Sequence, residues 1–181
     1  MKNNFETIEV VKELNESEEL FQVTNPSNKN EKNCILKVDQ IEFRKLLKLS
    51  NIYKKRQYKN IAQIIDKKES LVIQEKSSAF SFTESYKIID SKNQEVGFAN
   101  SAHILTSLIK LNFRSHKYEV IRRGGLHARV DLLSDGKVAA KISQKKYFND
   151  DIYIINHESN IEKVLLYFCL YLSVKYGKVS C

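Results

Sequence analysis

The chain has no tryptophan, one proline, five glycines and three cysteines. So few chain breakers exclude long disordered linkers. The cysteines, Cys34, Cys169 and Cys181, are odd in number and show no CxxC spacing. That excludes a disulfide framework and sets a reducing, cytoplasmic location as the expectation. Long apolar runs are also missing. The longest, Val164 to Leu172, is nine residues, against the ~20 needed to cross a bilayer. It is expected as a buried helix, with Cys169 packed as a small hydrophobe. Met1 to Val10 is polar and acidic, so no signal peptide is expected there.

Catalytic signatures are scarce as well. Gly124-Gly125 follows a strand-like run, but neither a GxGxxG nor a phosphate-loop lysine accompanies it, so it is expected as a turn. No serine carries a nucleophile-elbow glycine pattern. His103, His116, His127 and His157 are not paired at metal-ligand spacing. All four are expected at the surface. The expectation is a non-enzymatic protein with no cofactor and no metal.

What is present is an ordinary globular balance with a basic surplus. Hydrophobic residues make up 42% and charged residues 29%, the proportions of a folded domain. The net charge is +8 and the pI about 9.3. Such a charge favours nucleic acid, anionic lipid headgroups or acidic proteins, and is equally compatible with a merely solvated lysine-rich surface.

Period-2 alternation dominates the chain. Phe5 to Val10, Leu20 to Val23 and Cys34 to Val38 read as short strands, with a turn cluster at Asn25-Pro26-Ser27-Asn28. Asp39 and Glu42 have capping-box spacing ahead of a helix expected from Gln40 to Lys59. Its far half is basic. A domain boundary is placed after Lys68. From there hairpins follow: Leu71 to Ile73, Phe80 to Thr83, Tyr86 to Ile89, Val96 to Phe98, a strand or short helix over 105–113, and Tyr118 to Ile121. Leu126, Ala128, Val130 and Leu132 alternate with polar residues. Asp135-Gly136 is a two-residue hairpin signal, and Val138, Ala140 and Ile142 return from it. Asp151 to Ile155 is the last strand. Ser159 and Glu162 have capping-box spacing for a final helix, and Gly177 is placed to end it. Almost every position from Ile161 to Val174 is apolar, so this helix must be covered on all sides. The fold class expected is α+β and mainly antiparallel β: a curved sheet or β-barrel enclosing the C-terminal helix.

Two stretches carry a resemblance. Leu133-Ser134-Asp135-Gly136-Lys137-Val138-Ala139-Ala140-Lys141-Ile142-Ser143-Gln144-Lys145-Lys146 leads to Asp150-Asp151-Ile152-Tyr153-Ile154 and the apolar helix. Earlier, Tyr86-Lys87-Ile88-Ile89-Asp90 runs to Val96-Gly97. This order resembles the tubby C-terminal-like superfamily, in its LURP-one-related and phospholipid-scramblase-like members, over about residues 80–177. Asn93 or Gln94 stands where that family has a turn glycine. The resemblance implies a twelve-stranded barrel around a central helix, and a role in binding phosphoinositides or membranes. About eight strands are counted after residue 70, so either the N-terminal strands complete the barrel or it is reduced. The division expected is an N-terminal β/α segment over 1–68 and a tubby-like barrel over 69–181. Residues 5–75 also resemble a protein-kinase N-lobe, with Lys37 at the end of the third strand. No phosphate-covering glycines and no catalytic or metal-binding aspartate motif accompany it.

Candidate binding residues follow from charge. Arg114, Lys117, Arg122, Arg123 and Arg129 are expected on one hairpin rim, where guanidinium forks suit a phosphate-bearing headgroup or an acidic protein. Lys54, Lys55, Arg56 and Lys59, flanked by Tyr53 and Tyr58, form an alternative patch suited to nucleic acid.

Overall fold

A computed structural model describes residues 5–14, 18–24, 34–39, 58–66, 69–78, 83–101, 107–123, 129–145 and 152–179. Twelve strands appear in chain order: β1 (Phe5–Leu14), β2 (Glu18–Thr24), β3 (Cys34–Asp39), β4 (Lys59–Asp66), β5 (Ser70–Ser78), β6 (Thr83–Ile89), β7 (Glu95–Ser101), β8 (Leu108–Phe113), β9 (His116–Arg123), β10 (Arg129–Ser134), β11 (Lys137–Gln144) and β12 (Ile152–Glu158). One helix, α1 (Lys163–Val179), follows them. Each strand pairs antiparallel with the next, and β1 pairs with β12 from Phe5↔Glu158 to Val11↔Ile152. The sheet is therefore a closed barrel with no free edge.

Alternation fills the interior. Leu71 and Ile73 of β5, Ile109, Leu111 and Phe113 of β8, and Tyr153 and Ile155 of β12 all point inward and are buried. They join one core cluster with the helix residues Val164 to Leu172 and Val174. A 17-residue helix is about 25 Å long. From Val164 to Lys175 every residue is buried, so the barrel covers α1 on all sides. Each fully buried leucine or phenylalanine contributes roughly 2 kcal/mol of transfer free energy. The helix is thereby the core of the barrel rather than a cover over one face.

Local chemistry shapes the hairpins. Asp135 and Gly136 have φ of 50° and 73°, both in the left-handed region that a tight two-residue hairpin requires. Asn93, where the resembled family has glycine, has φ 62°. Asparagine tolerates that region better than other side chains. Asp90 completes the turn by accepting hydrogen bonds from the backbone N–H of Lys92 and Gln94 at 2.9 and 2.8 Å.

Several expectations need correction. The boundary expected after residue 68 falls in the β4–β5 connection, and β4 pairs with β5 across it. Residues 5–66 supply β1–β4 of the same barrel, and β5–β12 are the eight strands counted after residue 70. The three strands that resemble a kinase N-lobe are likewise barrel strands. Lys37 alternates with the buried Leu36 and Val38, so it lies on the outer face. Residues 40–57 of the expected basic helix lie outside the described residues, and Lys59 opens strand β4. The 105–113 stretch is strand over Leu108–Phe113. Ser159 and Glu162 do not box the helix: α1 begins at Lys163, and the Glu162 carboxylate goes to Arg114 instead. The helix also runs through Gly177 to Val179. An interior glycine costs a helix only about 1 kcal/mol, so glycine alone does not stop it. His157 is buried, because it continues the inward series Tyr153, Ile155.

Candidate functional site

Antiparallel order sends alternate connections to opposite ends of the barrel. The helix enters near Glu158 and Arg114 and ends near Glu75 and Arg122. β9 runs between these two ends, about 25 Å apart for its eight residues. The five basic residues expected on one rim therefore divide. Arg114 and Lys117 lie at the entry end, and Arg122, Arg123 and Arg129 at the exit end.

At the entry end the charge is compensated. Arg114 donates to Glu162 at 2.6 Å and, more closely, to Glu69. One guanidinium thus ties the β8–β9 turn to the β4–β5 connection and to the approach to the helix. Lys117 is exposed on β9 beside that turn.

At the exit end the three arginines do different things. By alternation Arg122 shares the inner face with Val120. Its guanidinium lies 3.9 Å from the centroid of the Tyr176 ring. Arg123 and Arg129 are directly paired across β9 and β10. Two like charges opposite each other repel. Asp131, whose carboxylate is fully buried, holds them together. Arg123 Nε donates to Asp131 Oδ2 at 2.6 Å, and Arg129 Nη2 to the same oxygen at 2.9 Å. Arg129 Nε also lies 2.7 Å from Oδ1, off the hydrogen-bonding line, as a coulombic contact. Nη1 and Nη2 of Arg123 and Nη1 of Arg129 have no partner among the described residues. On β11, Lys141 is the register partner of Asp131 and is exposed. Three cations thus surround one carboxylate on three adjacent strands.

A second polar group lies inside the barrel at the same end. Glu75 and Glu84 occupy inward positions on β5 and β6, in line with Leu71-Ile73 and Tyr86-Ile88. Lys175 of α1 donates to Glu75 at 2.6 Å and to Glu84 at 3.0 Å. Tyr171 donates to Glu75 at 2.5 Å, Tyr86 to Glu84 at 2.8 Å, and Tyr176 more closely to Glu84. Burial opposes a charge on Lys175, yet the two carboxylates hold its ammonium above the ordinary lysine value. Burial would also raise the Glu84 carboxyl. The Lys175 charge and the hydrogen bonds from Tyr176, Tyr86 and Lys175 outweigh it and hold Glu84 below the usual range. Burial, and then Asp131, push the Cys169 thiol far up, so it is inert as a nucleophile.

The alternative patch is less defined. Lys54, Lys55 and Arg56 lie outside the described residues. Lys59 is exposed at the start of β4. The connection from Asp39 to Lys59 leaves and rejoins the barrel at the exit end. Its residues 40–58 carry six basic side chains and one acidic one. Among the described residues no helix is long and apolar enough to cross a membrane.

Asp131, Lys141, Glu75, Glu84 and Lys175 were not among the residues singled out from sequence. The signal was partly there. Glu75 and Glu84 break apolar inward series, and Lys175 sits one position past an apolar helix run. The pairing was not readable, since Lys175 and Glu75 are 100 residues apart.

The chain matches no family model, no curated protein and no solved structure at a significant level. The twelve-stranded antiparallel barrel with one C-terminal helix is consistent with a tubby-like barrel.

Proposed function

We propose that this chain is a non-enzymatic binding domain of the tubby-like kind that recognises the anionic headgroups of a membrane surface through the exit end of its barrel. The observation that carries the reading is the Arg123–Asp131–Arg129 arrangement with Lys141 beside it. A single arginine would neutralise a buried aspartate. A second one, placed directly opposite the first, adds repulsion that nothing in the fold requires. The surplus is two positive charges and a set of unengaged guanidinium donors, oriented by a carboxylate that cannot move. Such a fork is organised for a phosphate or carboxylate oxygen pair. The basic connection between β3 and β4 starts and ends at the same rim. Each basic residue near an anionic surface adds about 1 kcal/mol of attraction.

Co-sedimentation with vesicles tests this. Arg123→Gln combined with Lys141→Gln alters exposed groups and leaves Arg129 to satisfy Asp131. Reversal of Arg122 is the wrong probe, because that side chain packs inward on Tyr176. Wild-type protein is expected to sediment with anionic vesicles at physiological salt and not with neutral ones. The double variant is expected to stay folded and lose most of that binding. Undiminished binding by the folded variant would remove this site. No binding by the wild type would remove lipid recognition and leave an acidic protein partner as the reading to test.

A further inference from the structure

The buried group formed by Glu75, Glu84 and Lys175 answers a problem that hydrophobic burial leaves open. Helix α1 is apolar on every side from Val164 to Leu172, and the barrel wall facing it is apolar too. Such a helix gains nearly the same transfer free energy if it turns about its axis or slides by one turn of 5.4 Å. Apolar area alone sets neither its rotation nor its depth; side-chain interdigitation and polar contacts must do so. Polar side chains with fixed partners do discriminate. A one-turn slide would carry Lys175 out of reach of both glutamates, to which it now bonds at 2.6 and 3.0 Å. It would also strand Tyr171 from Glu75. Three charged groups without partners in an apolar barrel cost several kcal/mol each.

We propose that Glu75, Glu84 and Lys175, with Tyr86, Tyr171 and Tyr176, are a register lock that fixes how the helix sits inside the barrel. The charged and titratable groups facing it come from every element packed there: Glu75 from β5, Glu84 and Tyr86 from β6, Arg122 from β9, and Tyr171, Lys175 and Tyr176 from the helix. Arg122 lies over the Tyr176 ring, whose hydroxyl donates to Glu84. Each carboxylate has its donors: Glu84 accepts from Tyr86, Lys175 and Tyr176, and Glu75 from Tyr171 and Lys175. This completeness is what a specifying network needs, since a half-satisfied one is worse than an apolar core.

Two measurements test the lock: one of its charge pairing, one of the uniqueness that separates it from a generic stabilising contact. The first is the pH dependence of stability. In the wild type, Glu84 is held below the ordinary carboxylate value. Its contribution is present at neutral pH and is lost only as pH falls through that depressed value. The wild type is then insensitive to the titration of Glu84 between about pH 7 and pH 5, above the ~4.3 of an unfolded glutamate. In Lys175→Met both glutamates are buried without their ammonium. Burial then dominates at Glu84 and favours its protonated form in the fold, so stability rises as pH is lowered from 7 to 5. The melting temperature at pH 7 should fall by on the order of 10 °C, the size seen when one member of a buried ion pair is removed. Lys175→Arg keeps the charge and should keep the flat profile.

The second signature is uniqueness. Replacing all three groups by apolar ones (Glu75→Leu, Glu84→Leu, Lys175→Met) removes the three charges of this cluster together. Such replacements commonly preserve or raise stability. The expected result is a cooperative melt at or near the wild-type temperature, with more than one set of helix methyl resonances in NMR spectra. A single set, with the same helix–strand proximities as the wild type, would show that packing fixes the register and would overturn the proposal. So would a Lys175→Met profile as flat as that of the wild type.

Discussion

Gly97 shows how far a single residue constrains this barrel. It sits at an inward position on β7, directly opposite Phe113 of β8. A Cβ there would lie 2.8 Å from Phe113 Cδ2 and 3.1 Å from Ile88 Cδ1. Both neighbours are packed core side chains with no exposed direction in which to retreat. Gly97→Ala should therefore destabilise by roughly 1–3 kcal/mol, the cost of overpacking. A denaturant midpoint that drops with an unchanged m-value would confirm it. The reason for this glycine is room for a phenylalanine, not backbone freedom. Sequence placed Val96-Gly97 in a hairpin but did not supply that reason, because Phe113 is sixteen residues away. The same holds for Asp131. Its alternation with Val130 and Leu132 was visible in the sequence. That two arginines cover it to full burial depends on the β9–β10 register, which alternation alone does not set.

At the level of elements, the tight turns were the most legible part and the helix ends the least. Asp135-Gly136 announced its turn because few pairs of residues accept two positive φ angles. The β8–β9 turn uses the same geometry with the wrong residues: Arg114 at φ 45° and Ser115 at φ 70°. Each costs about 1–2 kcal/mol of backbone strain relative to glycine. Arg114 has an evident return, since its guanidinium joins Glu69 and Glu162 across the entry end. Ser115 is exposed and makes no such contact among the described residues. Ser115→Gly should therefore stabilise the protein by ~0.5–1 kcal/mol, or roughly 1–4 °C in melting temperature. Arg114→Gly relieves strain too but loses the clasp, and should gain less. Calorimetry on both variants checks the pair. A Ser115→Gly melt below that of the wild type would mean the turn holds Ser115 for a contact of its own. The helix start was misread for a related reason. Ser159 and Glu162 have the right spacing for a box, but the helix begins only at Lys163 and the Glu162 carboxylate pairs with Arg114.

At the scale of the whole molecule, closure decides what can fold. The first 68 residues look in sequence like a separate unit, because their strands are interrupted by long polar connections and a basic stretch. In the barrel they are four of the twelve strands, and β1 is the seam. It pairs with β12 over seven register positions and with β2 over six. β1 also contributes Val10, and β2 Phe21, to the core. Phe21 meets Tyr153 of β12 edge to face at 5.7 Å between centroids. A fragment of residues 69–181 would leave β5 and β12 as open edges. It would also uncover the flank of α1 that β3 and β4 now touch. Large exposed apolar surface and unpaired edges favour association over folding. The fragment should show no cooperative thermal transition, should bind a hydrophobic dye strongly, and should aggregate at micromolar concentration. Adding the 1–68 fragment to it during refolding should restore the transition, because the missing strands are supplied in trans and the seam can close. A fragment that melts cooperatively alone, with the tyrosine environment of the full chain, would mean that eight strands suffice to cover the helix. The N-terminal strands would then be an addition to a smaller barrel and not a condition of it.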